Sequence, residues 1–210
     1  LVELGTEELP PKALLKLSKS FQAGVVEGLK KESLAHGQVK SFATPRRLAI
    51  LVSALEANQA DRLTEKFGPA VKAAFDADGN PTSAADGFAK SCGVTVTSLG
   101  RAPKDGVEKL CFSSTLPGRS TNELLPAIVD AALAKLPIPK RMRWGASRNE
   151  FVRPVHWLVM LFGEDIVPST IMGVNSGADS FGHRFHHPDK ICISKASNYE
   201  ALMLEPGNVV

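Results

Sequence analysis

A run of basic and aromatic residues between Pro137 and Trp157 holds the side chains best suited to binding chemistry. Its cations are Lys140, Arg141, Arg143, Arg148 and Arg153, with Glu150 as the single acid. Its aromatics are Trp144, Phe151 and Trp157, which include both tryptophans of the chain. Cations beside flat apolar side chains favour a polyanion that also offers faces for stacking, which describes RNA better than a phosphorylated metabolite. The alternative is a strand pair whose aromatics are core and whose arginines form a solvated rim.

A second pair of cations, Arg46 and Arg47, follows Thr44 and Pro45 in a segment that we predict to join two strands. Arginine binds phosphate or carboxylate through two parallel hydrogen bonds, so this pair is a candidate anion clamp. The alternative is a surface turn with solvated arginines.

Three acids near the start of the chain, Glu3, Glu7 and Glu8, precede a predicted helix. Paired carboxylates can share a proton or hold Mg²⁺, but negative charge is also favourable at a helix N-terminus. We therefore expect these acids to lie near the helix start, with Thr6 as its N-cap.

Three histidines, His183, His186 and His187, lie close to Asp189 and invite a metal interpretation. Their spacing contains no helical i, i+4 pair that would place two ligands together. We therefore predict loop histidines and no bound metal.

Motifs for nucleotide binding and hydrolysis are missing from the sequence. It contains neither the phosphate-binding loop GxxxxGK[ST] nor a GxGxxG after a predicted strand, and neither GxSxG nor HExxH. Arg153 and Arg184 superficially suggest the arginine pair of a class II synthetase site, but the residues around them match neither motif. We therefore predict no catalytic residues in this chain.

Composition indicates an ordinary globular protein. The length of 210 residues allows one large or two small domains, and the net charge of +3 means that any nucleic-acid footprint is local. No apolar run approaches the length of a membrane span, so we predict no membrane partner. Cys92, Cys111 and Cys192 are odd in number and widely spaced, which predicts reduced, mostly buried thiols in the cytoplasm.

The hydrophobic pattern predicts alternating helices and strands. Apolar residues recur every three or four positions from Pro10 to about Leu34, as on one face of a helix. Further helices are predicted at 121–136, capped by Ser120 or Thr121, and at 197–204. Strands are predicted at 1–4, 39–43, 48–55 and 107–115, with a hairpin of 155–162 and 166–172. A dense turn cluster at 76–81 suggests an insertion within the domain.

Five blocks of sequence together resemble a known family. They read LVELGTEELPP at 1–11, FATPRRLA at 42–49, LPIPKRMRWG at 136–145, FVRPVH at 151–156 and GHRF at 182–185. In this order and at these separations they resemble the N-terminal part of the bacterial glycyl-tRNA synthetase beta subunit, over nearly the whole chain. We therefore expect a fragment of a longer subunit.

The resemblance implies an enzyme that joins glycine to tRNA(Gly) using ATP, with the catalytic core in a separate alpha subunit. ATP and Mg²⁺ are then expected at the alpha subunit, and no cofactor is expected in this chain. The implied partners are the alpha subunit, in an alpha2beta2 heterotetramer, and tRNA(Gly). The predicted fold class is α+β, with mixed or antiparallel sheets and packed helices, similar by resemblance to the B3/B4-type module of phenylalanyl-tRNA synthetases. Two parts are predicted, 1–116 and 117–210.

Within that assembly we expect this chain to contribute tRNA binding, subunit assembly or both. The candidate tRNA-binding residues are Arg46, Arg47, Lys140, Arg141, Arg143, Trp144, Arg148 and Arg153. One alternative is an editing-like hydrolase acting on mischarged tRNA, with His156 or His183 as the water activator. Another is a purely structural brace.

Overall fold

The computed structural model describes residues 1–209, which form five α-helices and fourteen strands. The helices are α1 (Pro11–Lys31), α2 (Val71–Ala74), α3 (Ser83–Cys92), α4 (Thr121–Ala134) and α5 (Tyr199–Leu204). The strands are β1 (Val2–Thr6), β2 (Val39–Thr44), β3 (Arg47–Val52), β4 (Arg62–Ala70), β5 (Gly100–Lys104), β6 (Val107–Leu116), β7 (Met142–Arg143), β8 (Glu150–Phe151), β9 (Val155–Phe162), β10 (Asp165–Ile166), β11 (Thr170–Ile171), β12 (Val174–Gly177), β13 (Asp179–Phe181) and β14 (Lys190–Cys192). The predicted α+β class is confirmed.

The chain divides into a main unit and an inserted unit. The main unit combines Leu1–Gln59 with the chain from Arg119 onward, and the inserted unit is Ala60–Gly118. The sequence-based parts, 1–116 and 117–210, share only the boundary near residue 117 with this division. The difference arises because β1 pairs with β9, so segments from both sides of the inserted unit complete one sheet.

The main unit is organised around a seven-stranded sheet. Six of its strands run in the order β11-β12-β9-β1-β3-β2, and β10 pairs with β9. β1 lies between β3 and β9 and is antiparallel to both, with Glu3 opposite Ala49 on one side and Val159 on the other. The strand at the start of the chain is therefore central to the sheet.

One face of this sheet is covered by α1 and α4. Leu17, Phe21, Val25 and Leu29 of α1 are buried, as their spacing predicts. The two helices approach closely, because a Cβ on Gly28 would lie 2.5 Å from Ile128 Cγ2. Ser120 Oγ accepts a hydrogen bond from the Glu123 amide at 3.4 Å, which confirms the predicted cap of α4.

The start of α1 differs from expectation. Its N-cap is Pro10, with Pro11 in the first turn, where a missing amide donor is not needed. No side chain caps the helix and its first turn holds no acid, so the predicted Thr6 cap and carboxylate–helix interaction are wrong. Thr6 and Glu3 are instead buried on β1.

The opposite face of the sheet packs against β13, β14 and α5. Trp157 and Val159 of β9 meet Ile191, Tyr199 and Met203 in this second core. The inserted unit has its own antiparallel sheet, in the order β4-β6-β5, and a small core that includes buried Leu110.

The three cysteines are more exposed than the sequence predicts. Cys92 and Cys111 are half-buried and Cys192 is exposed, so the prediction of mostly buried thiols is wrong. All three are unpaired thiols.

Among residues 1–209, no helix has both the length and the apolar character needed to cross a bilayer.

Candidate nucleic-acid interface

The second core contains a buried carboxylate, Glu3, which is 0% exposed. Strand alternation directs Val2 and Leu4 toward α1 and α4 and Glu3 toward the opposite layer. Four donors meet its two oxygens: Arg47 Nη1 at 3.1 Å, Trp157 Nε1 at 2.5 Å, Ser180 Oγ at 2.5 Å and the Tyr199 hydroxyl. A buried charge needs such pairing and hydrogen bonding to be tolerated.

Arg47 belongs to this network rather than to the surface. Only 3% of the residue is exposed, and its Nη2 donates to the Phe181 carbonyl at 2.5 Å. Arg47 lines one cleft together with Arg46, and its Nε is buried without a hydrogen-bond partner among the described residues, but both of its Nη atoms donate to protein groups. We assign Arg47 a structural role as the partner of Glu3.

The stability of the folded chain depends on pH through the buried side chain of Tyr199. Burial, reinforced by the Glu3 carboxylate, raises the pKa of Tyr199 well above its ordinary value of 10.0. The folded chain therefore keeps the phenol proton that the unfolded chain loses near pH 10, so this contribution to stability is complete below pH 10 and declines above it. We expect the melting temperature of the full-length subunit to fall between about pH 9 and about pH 11, and to fall less in Tyr199→Phe. Equal falls in both proteins would contradict this.

Arg46 is half-buried and directs its guanidinium across the Trp157 ring, 5.9 Å from the ring centroid. Its Nε is buried and has no hydrogen-bond partner among the described residues. Because Arg46 is only half-buried whereas Arg47 is 3% exposed, Arg46 is the one of the two that a ligand can reach.

Four clefts of the main unit share wall residues, and we call them the cleft series. The first, of about 350 Å³, and the second, of about 270 Å³, both include Arg46, Gly182 and Arg184. The third, of about 680 Å³, shares Arg184 with the second and adds Arg153. The fourth, of about 410 Å³, shares Arg153 with the third and adds Lys140. A cation therefore lines every cleft of the series.

Two acids contact residues of the cleft walls. Glu8 Oε1 lies 3.8 Å from Arg184 Nη1, and Glu7 Oε1 lies 3.0 Å from His156 Nε2. All four side chains are between 44% and 69% exposed, so the pairs are weak and can exchange for contacts with a ligand.

The cations of the basic segment occupy different environments. Lys140, Arg148 and Arg153 are exposed, and Arg153 Nε donates to the Glu8 carbonyl at 3.1 Å. Arg143 is also exposed and lies 3.7 Å from Glu150. Arg141 instead donates to the Ala134 carbonyl at 2.9 Å, at the C-terminal end of α4, which is a structural contact.

The aromatics of the segment face inward. Phe151 and Trp157 are buried, and half-buried Trp144 packs against the core formed with α1 and α4. The alternative in which the aromatics are core therefore describes Phe151 and Trp157. The packing of Trp144 favours a role in supporting the basic surface from beneath.

The three histidines lie in the loop before β14. His183 Nδ1 accepts hydrogen bonds from the backbone amides of Phe185 and His186 at 3.2 and 3.3 Å, and the His183 and His186 rings are 4.5 Å apart. No group of three or more potential metal ligands occurs within residues 1–209. The ring of His183 thus organises the loop.

The sequence interpretation missed the contribution of this loop. Arg184 lines three of the four clefts, and Phe185 is 81% exposed in the wall of the second. The available signal was an arginine and an aromatic side by side in GHRF, but this block lacks the charge density of residues 140–153.

Comparison with known proteins gives one consistent result. A family model described as glycyl-tRNA synthetase beta subunit matches residues 1–210. Proteins named glycine–tRNA ligase beta subunit are 50% identical over 210 residues in Hahella chejuensis and 52% identical over 199 residues in Pseudomonas aeruginosa. These matches cover 100% and 95% of this chain, and the chain spans 30% and 28% of the respective relatives.

Proposed function

The chain belongs to the glycyl-tRNA synthetase beta subunit family, and from this premise we propose that it contributes a tRNA-binding surface to a glycine–tRNA ligase. The reaction in this proposal joins glycine to tRNA(Gly) at the expense of ATP in the cytoplasm. From the resemblance to this family, we place ATP, Mg²⁺ and catalysis in a separate alpha subunit, within an alpha2beta2 assembly.

The observation that carries the proposal is the recurrence of cations along the cleft series. Arg46, Arg184, Arg153 and Lys140 line successive clefts, while the exposed Arg143 and Arg148 extend the basic segment beyond them. Separate cations spaced along a surface suit the regularly spaced phosphates of a nucleic acid. A small anionic metabolite would need convergent groups in one enclosed pocket.

The alternatives have less support. An editing hydrolase needs a sheltered pocket around a water activator, whereas His156 pairs with Glu7 in a setting where both side chains are nearly half exposed. His183 uses Nδ1 to hold its own loop. A structural brace is supported by Arg141 and Arg47, whose contacts are internal, but gives no role to the exposed cations.

The test removes three exposed cations of the basic segment together in the assembled full-length synthetase. The variant combines Lys140→Ala and Arg153→Ala, at two residues that line clefts of the series, with Arg148→Ala. We expect at least about tenfold weaker tRNA binding near 0.1 M salt, and a salt dependence flatter by roughly two to three units of slope, since fewer counterions are released. Glycine-dependent pyrophosphate exchange should be unchanged.

The matched control combines Lys19→Ala, Lys30→Ala and Lys31→Ala, which removes equal charge from exposed positions of α1. We expect this control to leave tRNA affinity close to that of the wild type. Thermal melting checks that both variants fold and assemble. An unchanged affinity and slope in the folded, assembled basic-segment variant would refute the proposal.

A further inference from the structure

The loop from Gly182 to His187 presents an aromatic ring to solvent in the second cleft. Phe185 is 81% exposed, and the Arg184 guanidinium lies 5.8 Å from its ring centroid. An exposed aromatic ring beside a cation in one cleft wall is an arrangement that suits stacking with a ligand.

Backbone hydrogen bonds hold this loop in place, whereas the Phe185 ring does not pack into the core. The His183 amide donates to the Gly207 carbonyl at 2.7 Å, and the His187 amide donates to the His183 carbonyl at 2.8 Å. Gly182 is required for this close approach, because a Cβ there would lie 2.7 Å from Gly207 O. The ring is therefore presented by a preorganised backbone.

Two cations accompany this ring in the second cleft. Arg46 is half-buried, and the side chain of Arg184 is 57% exposed with a weak ion pair to Glu8, 3.8 Å away. Guanidinium donors that are held only by weak internal contacts can turn to the oxygens of a phosphate. The cleft thus offers an anion site next to a stacking surface.

We propose that the second cleft binds one unpaired nucleotide of RNA, with its phosphate at Arg46 and Arg184 and its base stacked on Phe185. Bases inside a duplex have no free face, so an exposed aromatic ring selects single-stranded segments. The volume of about 270 Å³ suits a single nucleotide unit rather than a duplex. This inference rests on the proposed tRNA-binding function and specifies which RNA element this cleft recognises.

The test uses the assembled full-length synthetase and two RNA probes, a uridine hexanucleotide and a blunt RNA duplex. We expect Phe185→Ala to weaken hexanucleotide binding about tenfold and to leave duplex binding unchanged, since base–aromatic stacking contributes about 1–3 kcal/mol per base. Phe185→Trp should retain hexanucleotide binding and Phe185→Leu should not, because only the former keeps a ring. Arg184→Ala should weaken hexanucleotide binding and flatten its salt dependence by roughly 0.7 units of slope.

The matched control is Leu15→Ala, which truncates a side chain of α1 that is 66% exposed and should leave hexanucleotide affinity unchanged. Equal loss for both probes in Phe185→Ala, no loss for either, or no hexanucleotide binding by the wild type would overturn the proposal. The last outcome would indicate that other residues of the subunit cover the cleft. Failure of the broader function is a separate result, because it appears as unchanged tRNA affinity in the basic-segment variant.

Discussion

Replacing Glu3 with alanine will reduce the free energy of unfolding of the main unit by about 3–5 kcal/mol, since it leaves the guanidinium of Arg47 buried without a counter-charge. The substitution also removes the acceptor for Trp157 Nε1, Ser180 Oγ and the Tyr199 hydroxyl. Hydrogen exchange of β1, β3 and β9 peptides in the full-length subunit measures the change, because it reports on this sheet without requiring the whole subunit to unfold in one step.

A double-mutant cycle shows whether the loss comes from the ion pair. Arg47→Ala alone should also destabilise the sheet strongly, because it leaves the Glu3 carboxylate buried without its cation. The double variant, Glu3→Ala with Arg47→Ala, should lose much less than the sum of the two single changes. Additive losses would show that the two side chains act independently and would contradict the assignment of Arg47 as the partner of Glu3.

Gly5→Ala will destabilise the main unit by about 3 kcal/mol or more, because its new methyl group has no space. A Cβ at this position would lie 1.9 Å from both Cδ2 and Cε2 of Trp157. The indole cannot move aside freely, since its Nε1 donates to Glu3. We expect faster hydrogen exchange in β1 and β9 and a lower melting temperature of the full-length subunit.

Gly87→Ala provides the control for Gly5→Ala. Gly87 lies within α3, and a Cβ there would have no heavy atom within 4 Å. Since alanine is a better helix former than glycine, this change should be neutral or stabilising by up to about 1 kcal/mol. Wild-type hydrogen exchange in Gly5→Ala would show that β1 and β9 can separate enough to admit a methyl group, contrary to the prediction.

Local patterns in the sequence predicted the regular elements well. The apolar spacing of α1, the Ser120 cap of α4 and the strands on both sides of the turn at 44–47 depend on neighbours within a few residues, and the structure has them within a few positions of the predicted bounds. The hairpin predicted from 155–162 and 166–172 is shorter than expected. β10 ends at Ile166, and the next strand, β11, pairs with β12.

The role of Arg47 could not be predicted from local sequence patterns. Its partner Glu3 lies 44 residues away, and the other groups around the carboxylate come from β9, β13 and α5. A charged residue between apolar ones reads locally as an exposed strand position, and only the layer on the far side of the sheet makes it a buried one. The same limit explains why Arg46 and Arg184, 138 positions apart in the sequence, were not recognised as walls of one cleft.

Pairing of β1 with β9 also determines the order in which the chain can fold during synthesis. β1 can pair with β3 early, but Val2 also pairs with Met160, so the β9 side of β1 stays unpaired until more than 150 further residues have been added. That takes roughly 8 to 30 s at bacterial or eukaryotic elongation rates. All of the inserted unit, which ends at Gly118, leaves the ribosome before β9 does. The two residues of the main unit that flank the inserted unit are hydrogen-bonded to each other, since the Gln59 amide donates to the Arg119 carbonyl at 2.9 Å. We therefore expect a ribosome stalled between these two points to carry an intermediate in which the inserted unit resists protease while the main unit, which still lacks β9, is cleaved.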